Sequence, residues 1–184
     1  ETLPLDSQQG VKGKMGFALR VPCGVIVAIT PFNYPLLLVA HKVGPALASG
    51  NVVILKPARQ TPLTALKFSK LLNEAGLPIN ALQCITGSGE RMGAALCADS
   101  RVRKITFTGS TVVGEAITRV AGIKKVSLEL GSNSALVILP DADLAKVAEA
   151  TAVGGFVNAG QVCISTQRVL AHRKIYADFL DALK

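Results

Sequence analysis

The alternation of short Val- and Ile-rich runs with longer stretches of helical spacing limits this chain's possible folds more than any other feature. From residue 24 onward the runs "GVIVAIT", "NVVILKP", "LQCIT", "KITFTG" and "KVSLELG" follow one another, with a helical pattern after each of the first four. Connections of that length join parallel strands rather than hairpins. The pattern therefore predicts an α/β fold: a Rossmann-like, mostly parallel sheet with helices on both faces. The runs are apolar throughout rather than at alternate positions, which predicts strands covered on both sides. The clearest helix spans 62–75. Thr61 is placed to cap it, Pro62 suits its first position, Gly76 and Pro78 stop it, and Ala65, Phe68, Leu72 and Ala75 form its packing face.

Outside this central block the pattern changes. The first dozen residues read as loop, and "MGFALRVPCGVIVAIT" reads as an antiparallel ribbon entering the sheet, which sets off residues 1–23 as an N-terminal segment. After Gly131 a fresh strand, "SALVILP", precedes a helix that Asp141 or Asp143 can cap, so a second unit opens at residue 132 and runs to 184. A chain of 184 residues, 49% of them hydrophobic, can bury the core of one domain plus part of another.

Several function classes are disfavoured at once. No run approaches the roughly 18 to 20 apolar residues of a membrane span, and "ETLPLDSQQG" lacks the layout of a signal peptide, so a soluble cytoplasmic protein is expected. Cys23, Cys84, Cys97 and Cys163 are widely spaced and have no histidine cluster nearby, which points to free thiols rather than zinc or disulfides. The net charge of +8 is scattered, and aromatic residues make up only 4%, so nucleic acid is not the expected partner. A phosphate-bearing cofactor suits that charge equally well.

Parallel sheets hold ligands at the carboxyl ends of their strands, and the polar residues there are the candidates. "ITFTGSTVVGEAI" passes from a strand through Gly109 and Ser110 into a helix, offering free N–H groups to a pyrophosphate. The spacing is neither GxGxxG nor a P-loop, so glycine serving turn geometry alone is an equal reading. "TGSGERMG" at 86–93 is a second such junction, read as a plain turn. Lys56 leaves its strand where an ammonium can reach a ribose or a phosphate, or else point into solvent. Asn33, held between prolines in "TPFNYP", is an oxyanion donor or a turn residue. Glu129 at a strand end is a general base or a surface carboxylate. Cys163 in "NAGQVCISTQRV" is a nucleophile at a bend or a small core residue.

Four stretches, "PFNYPLLLVAHKVGPALASGNVVILKPA", "FTGSTVVGE", "LELGSN" and "GQVCISTQRV", resemble the NAD(P)-dependent aldehyde dehydrogenase superfamily from about residue 14 to the end. The resemblance implies that residues 24–131 are part of a dinucleotide-binding domain and that 132–184 begin a catalytic domain. It casts Cys163 as the nucleophile, Glu129 as the deacylating base and Asn33, with the Cys163 backbone N–H, as the oxyanion hole. Lys56, Gly109 and Ser110 would hold the ribose and pyrophosphate of NAD or NADP, with Ile29, Thr30, Pro31, Phe32 and Gly131 bordering the cofactor. The implied partner is an aldehyde, oxidised to an acid through a thiohemiacetal and a thioester, in an enzyme that is a homodimer or homotetramer.

Three departures qualify this. The usual "LELGG" reads "LELGS", so Ser132 is expected to have ordinary dihedrals. Arg59 stands where many NAD-preferring members carry glutamate, which favours the 2′-phosphate of NADP. Relative to the family the chain corresponds to an internal segment, which implies very low turnover on its own. The alternatives are a coenzyme-A-acylating member and a dinucleotide-binding module without catalysis. Val162 stands where phospho-aldehyde members place arginine, which disfavours a phosphorylated substrate.

Overall fold

A computed structural model describes residues 2, 3, 10 and 13–184. At its centre is a sheet of five parallel strands: β3 (Val25–Ile29), β4 (Val52–Lys56), β5 (Leu82–Cys84), β6 (Val102–Thr108) and β7 (Lys125–Glu129), in the order β5-β4-β3-β6-β7. The five runs of the sequence are these five strands. Helices α1 (Leu37–Ala48), α2 (Pro62–Glu74), α3 (Ala94–Ala98) and α4 (Thr111–Ala121) make the crossovers. A π-helical turn, Gly89–Gly93, precedes α3.

The alternation of side chains along β3 explains why both faces are covered. Ile26 and Ala28 point into a core with Val39, Val43, Val53, Leu55 and Ala65, under α1 and α2. Val27 points the other way, into a core with Cys97, Val102, Ile105, Phe107, Ile117 and Ala121, under α3 and α4. The expectation of cover on both sides fails for β7. It is an edge strand on which Lys125, Ser127 and Glu129 are exposed, so its polar residues alternate with half-buried ones.

Two details of α2 also differ from the reading. Thr61 occupies the cap position without accepting a cap hydrogen bond, because its backbone angles (φ −133°, ψ 49°) depart from the extended capping geometry. Ala75 is exposed just past the helix end, whereas Phe68 and Leu72 pack on the core as predicted.

The antiparallel ribbon is a separate two-stranded pair, β1 (Thr2–Leu3) with β2 (Gly16–Phe17), and does not join the main sheet. The loop reading of residues 1–12 falls mainly outside the described residues. Past β7, β8 (Ala135–Ile138) and β9 (Arg168–Ala171) pair in parallel around the crossover helix α5 (Leu144–Phe156), and α6 (Tyr176–Leu183) packs on α5. Asp143, not Asp141, caps α5 by accepting the Lys146 N–H. Among the described residues no helix is long and apolar enough to cross a membrane, and no cluster of His, Cys, Asp or Glu could hold a metal ion.

Candidate functional site

Strand order fixes where a ligand can enter. From β3 the chain winds outward through β4 to β5, then returns to the other side of β3 as β6 and continues to β7. The crossovers leave in opposite directions at β3 and β6, and a crevice opens at the carboxyl ends of these two strands. Register places Ile29 beside Lys56 on one side and beside Phe107 on the other, with Thr108 beside Glu129. The residues singled out at strand ends therefore line one edge of the sheet.

Lys56 is not solvated. It is 4% exposed, its Nζ donates to the Pro57 carbonyl at 3.2 Å, and burial pushes its pKa below the ordinary value. It lines a cavity of about 390 Å³ with Ile29, Gly89, Glu90, Val113 and Val120. This corrects the plain-turn reading of 86–93. The π-helical turn there leaves Gly89 and Gly93 without side chains on the cavity wall and puts Glu90 on it. A larger cavity, about 620 Å³, lies at the opposite edge of the sheet around Arg103, Lys124 and Lys125, away from every strand-end candidate.

Gly109 and Ser110 have structural work as well as any binding role. A Cβ on Gly109 would fall 2.5 Å from the Phe107 ring, and the Gly109 N–H already donates to the Glu129 carbonyl at 3.0 Å. Ser110 caps α4, its Oγ accepting the Val113 N–H. The first N–H groups of α4 have no intrahelical partner and form the positive end of the helix. Thr30 is buried and Phe32 exposed on the loop after β3, and Arg59 is exposed in the turn leading to α2.

Cys163 lies in the loop between α5 and β9, before the second strand of the smaller sheet. Asn33 Nδ2 donates to the Gln161 carbonyl at 2.8 Å, and Asn158 Nδ2 donates to the Asn33 carbonyl at 3.4 Å. Exchanging the oxygen and nitrogen of the Asn33 amide would set oxygen against oxygen, so the orientation is fixed. Ser132 Oγ donates to the Cys163 carbonyl. Asn158 and Ala159 adopt left-handed backbone angles just before Gly160, which bends the loop toward Asn33. Ser132 has no such angle, as its side chain requires.

The thiols differ in setting. Cys163 is exposed, whereas Cys97 is buried and Cys84 half-buried, and burial raises the pKa of both.

Comparison with known proteins identifies the family. The aldehyde dehydrogenase family profile matches residues 1–184. The chain belongs to that family. It is 52% identical over 184 residues to a 3-sulfolactaldehyde dehydrogenase of Priestia aryabhattai and 48% identical over 179 residues to an aspartate-semialdehyde dehydrogenase of Pseudomonas canavaninivorans. All of the chain is covered by the first and 97% by the second, but it spans only 39% and 38% of those relatives' lengths. A crystal structure of an aldehyde dehydrogenase from Brucella melitensis biovar abortus 2308 superposes on the whole chain with a TM-score of 0.92 at 39% identity, the match covering 38% of that protein.

Within this aldehyde dehydrogenase segment, sequence reasoning missed Lys42. It lies on α1, is only 9% exposed, and donates from Nζ to Thr106 Oγ1 at 3.2 Å. Burial, together with the positive charge of Lys104 and against the attraction of Glu129, lowers its pKa to about 8. A lysine inside the apolar pattern "LLVAHKVGPAL" was the available signal.

Proposed function

We propose that this chain carries the nucleophile, one oxyanion donor and the dinucleotide face of an enzyme that oxidises an aldehyde to a carboxylic acid. The observation that carries the reading is the bond from Asn33 to Gln161 O, which joins residues 128 apart in sequence and sets the amide against the Cys163 loop. One amide proton is used in that bond. The second is left for a developing oxyanion, in partnership with the Cys163 N–H.

In this reading the Cys163 thiolate adds to the aldehyde carbon, and the carbonyl electron pair moves onto oxygen, an oxyanion to which the Asn33 amide N–H donates a hydrogen bond. NAD or NADP, when bound, supplies the hydride acceptor. Loss of hydride from the thiohemiacetal leaves a thioester on Cys163. Glu129, exposed to solvent at the strand end, takes a proton from water as the water oxygen bonds to the acyl carbon; the C–S bond then breaks, releasing the acid and the Cys163 thiolate.

The cavity beside Lys56 fits one end of a dinucleotide. Its wall of Ile29, Val113, Ala116 and Val120 suits a flat apolar ring, Lys56 suits ribose hydroxyls, and the start of α4 suits a pyrophosphate. Ile29 to Phe32 and Gly131 border the same edge. Residues 24–131 serve as the dinucleotide-binding unit and 132–184 as the opening of the catalytic unit. Arg59 favours NADP by offering a guanidinium to its 2′-phosphate.

Alkylation by iodoacetamide, mapped by peptide mass spectrometry, tests the assignment: Cys163 should react fastest of the four thiols, and equal rates would refute it. Product analysis with and without coenzyme A should give the free acid in both cases. The isolated 184-residue chain should turn over very slowly, and robust oxidation by it would contradict this division of labour.

A further inference from the structure

We propose that Ser132 is a positioning residue for the Cys163 nucleophile, a role that rests on the reading of Cys163 given above. The hydroxyl stands where the related motif usually has a glycine hydrogen, so the contact belongs to this chain's own sequence. Ser132 follows Glu129 by three residues on the connection from β7 to β8, and its Oγ donates to the Cys163 carbonyl. Ser134 Oγ lies 3.0 Å from Ser132 Oγ. A hydroxyl has a single proton, and that of Ser132 is committed to Cys163, so in this pair Ser134 must donate and Ser132 accept. The Ser134 carbonyl in turn accepts the N–H groups of Gln167 and Arg168 at 2.9 and 3.1 Å, at the start of β9. The result is a polar chain from the smaller sheet to the backbone of the nucleophile.

Hydrogen bonds have to do this holding because the loop has little apolar burial to fix it. Cys163 is exposed, and its neighbour Ile164 is 82% exposed. Two carbonyls of the loop are pinned from different sides: Gln161 O by Asn33 on the larger sheet and Cys163 O by Ser132. Fixing the Cys163 carbonyl fixes the rotation of the backbone on the far side of its Cα, and the thiol's accessible rotamers follow from that backbone geometry. Ser132 has no left-handed angle, so the serine adds its bond without backbone strain.

The net worth of one such bond corresponds to about threefold to tenfold in the population of the held loop. The test uses the full-length protein with Ser132→Gly, Ser132→Ala and Ser132→Thr. Alkylation of Cys163 by iodoacetamide is measured with Cys23 as internal reference, alongside the burst of reduced cofactor with propanal. The glycine and alanine variants should slow both the Cys163 alkylation and the burst about threefold to tenfold, leaving the Cys23 rate, the KM for propanal and the melting temperature unchanged. Threonine, which keeps the hydroxyl, should stay within about twofold of the parent. Unchanged or faster Cys163 alkylation in the alanine and glycine variants overturns the role, as does failure of threonine to restore it. Parent Cys163 reacting no faster than Cys23 overturns the nucleophile assignment, and the role of Ser132 with it.

Discussion

Replacing Lys42 by methionine should stabilise the protein at neutral pH, and the gain should shrink as pH rises. Lys42 is 9% exposed, with Thr106 Oγ1 at 3.2 Å as its hydrogen-bond partner. Its pKa in the folded protein is about 8 against the ordinary 10.5, chiefly through burial. Below pH 8 the folded chain must therefore carry a charge that it binds less well than the unfolded chain does. Between about pH 8 and 10.5 the unfolded state holds more protons than the folded state, so stability rises with pH across that window. The full penalty is about 3 kcal/mol at pH 7, taking each tenfold change in proton affinity as about 1.4 kcal/mol.

Methionine removes the penalty but also the bond to Thr106, which offsets about 1 kcal/mol. The net gain at pH 7 should be about 2 kcal/mol. By pH 9.5 roughly 2 kcal/mol of the parent's penalty is gone, so the two proteins should be nearly equal there. Urea unfolding followed by far-ultraviolet circular dichroism at pH 7, 8, 9 and 9.5 measures this, the sequence having no tryptophan to report by fluorescence. Taking the difference between the two proteins at each pH cancels the titrations they share, including those of Lys56, Cys84 and Cys97. A difference that stays flat within about 0.5 kcal/mol from pH 7 to 9.5 would refute the reasoning, because it would mean that the Lys42 ammonium is as well solvated folded as unfolded.

Three further outcomes follow from the crevice. In a calorimetric titration, NADP should bind more tightly than NAD, and Arg59→Glu should reverse the order by removing the guanidinium and adding a charge that repels the 2′-phosphate; an unchanged order would remove Arg59 from the site. Gly109→Ala should cost about 1 to 3 kcal/mol in thermal or urea unfolding, because its Cβ would meet the Phe107 ring at 2.5 Å and that ring is itself buried in the core. Asn33→Ala should lower kcat about a hundredfold or more with cofactor affinity unchanged in the same titration, and a loss confined to cofactor binding would count against the oxyanion role.

The sequence made the central sheet legible because its strands are apolar enough to show through any local pattern. Helix α2 was read almost to the residue, since Pro62, Gly76 and Pro78 punctuate it. Other elements carry no such marks. β9 has only four residues, "RVLA", of which Arg168 and Leu170 are exposed, so neither its length nor its hydropathy separates it from the loop before it. The cavity wall at Gly89–Gly93 reads as a turn because a glycine-rich junction looks the same whether it makes a turn or a π-helical bend. Lys42 was hidden for a different reason. A single cation within an apolar helical pattern is usually placed on the solvent side, whereas Lys42 enters a cavity that it lines with His41, Ser49, Asn51, Lys104 and Thr106.

The candidate site itself shows why residue patterns alone left each reading open. The sheet edge carrying Lys56, Asn33 and Glu129 needs only the five parallel strands, and those can be inferred from local pattern. Cys163 lies on the loop before β9, outside the five-stranded sheet, and nothing in "NAGQVCISTQRV" states which surface it faces. That relation is set by a few polar contacts between distant segments: Asn33 with Gln161, Asn158 with Asn33, and Ser132 with Cys163. Each is a side-chain amide or hydroxyl meeting a backbone carbonyl, so one partner in every case leaves no mark on the sequence. The left-handed angles of Asn158 and Ala159 are the local expense of turning the chain to make those contacts, at a position where an ordinary loop would not need them. Removing the contacts should therefore uncouple the nucleophile from the sheet edge while leaving both sheets folded, an outcome that distinguishes a site assembled by these contacts from one enforced by the packing of either core.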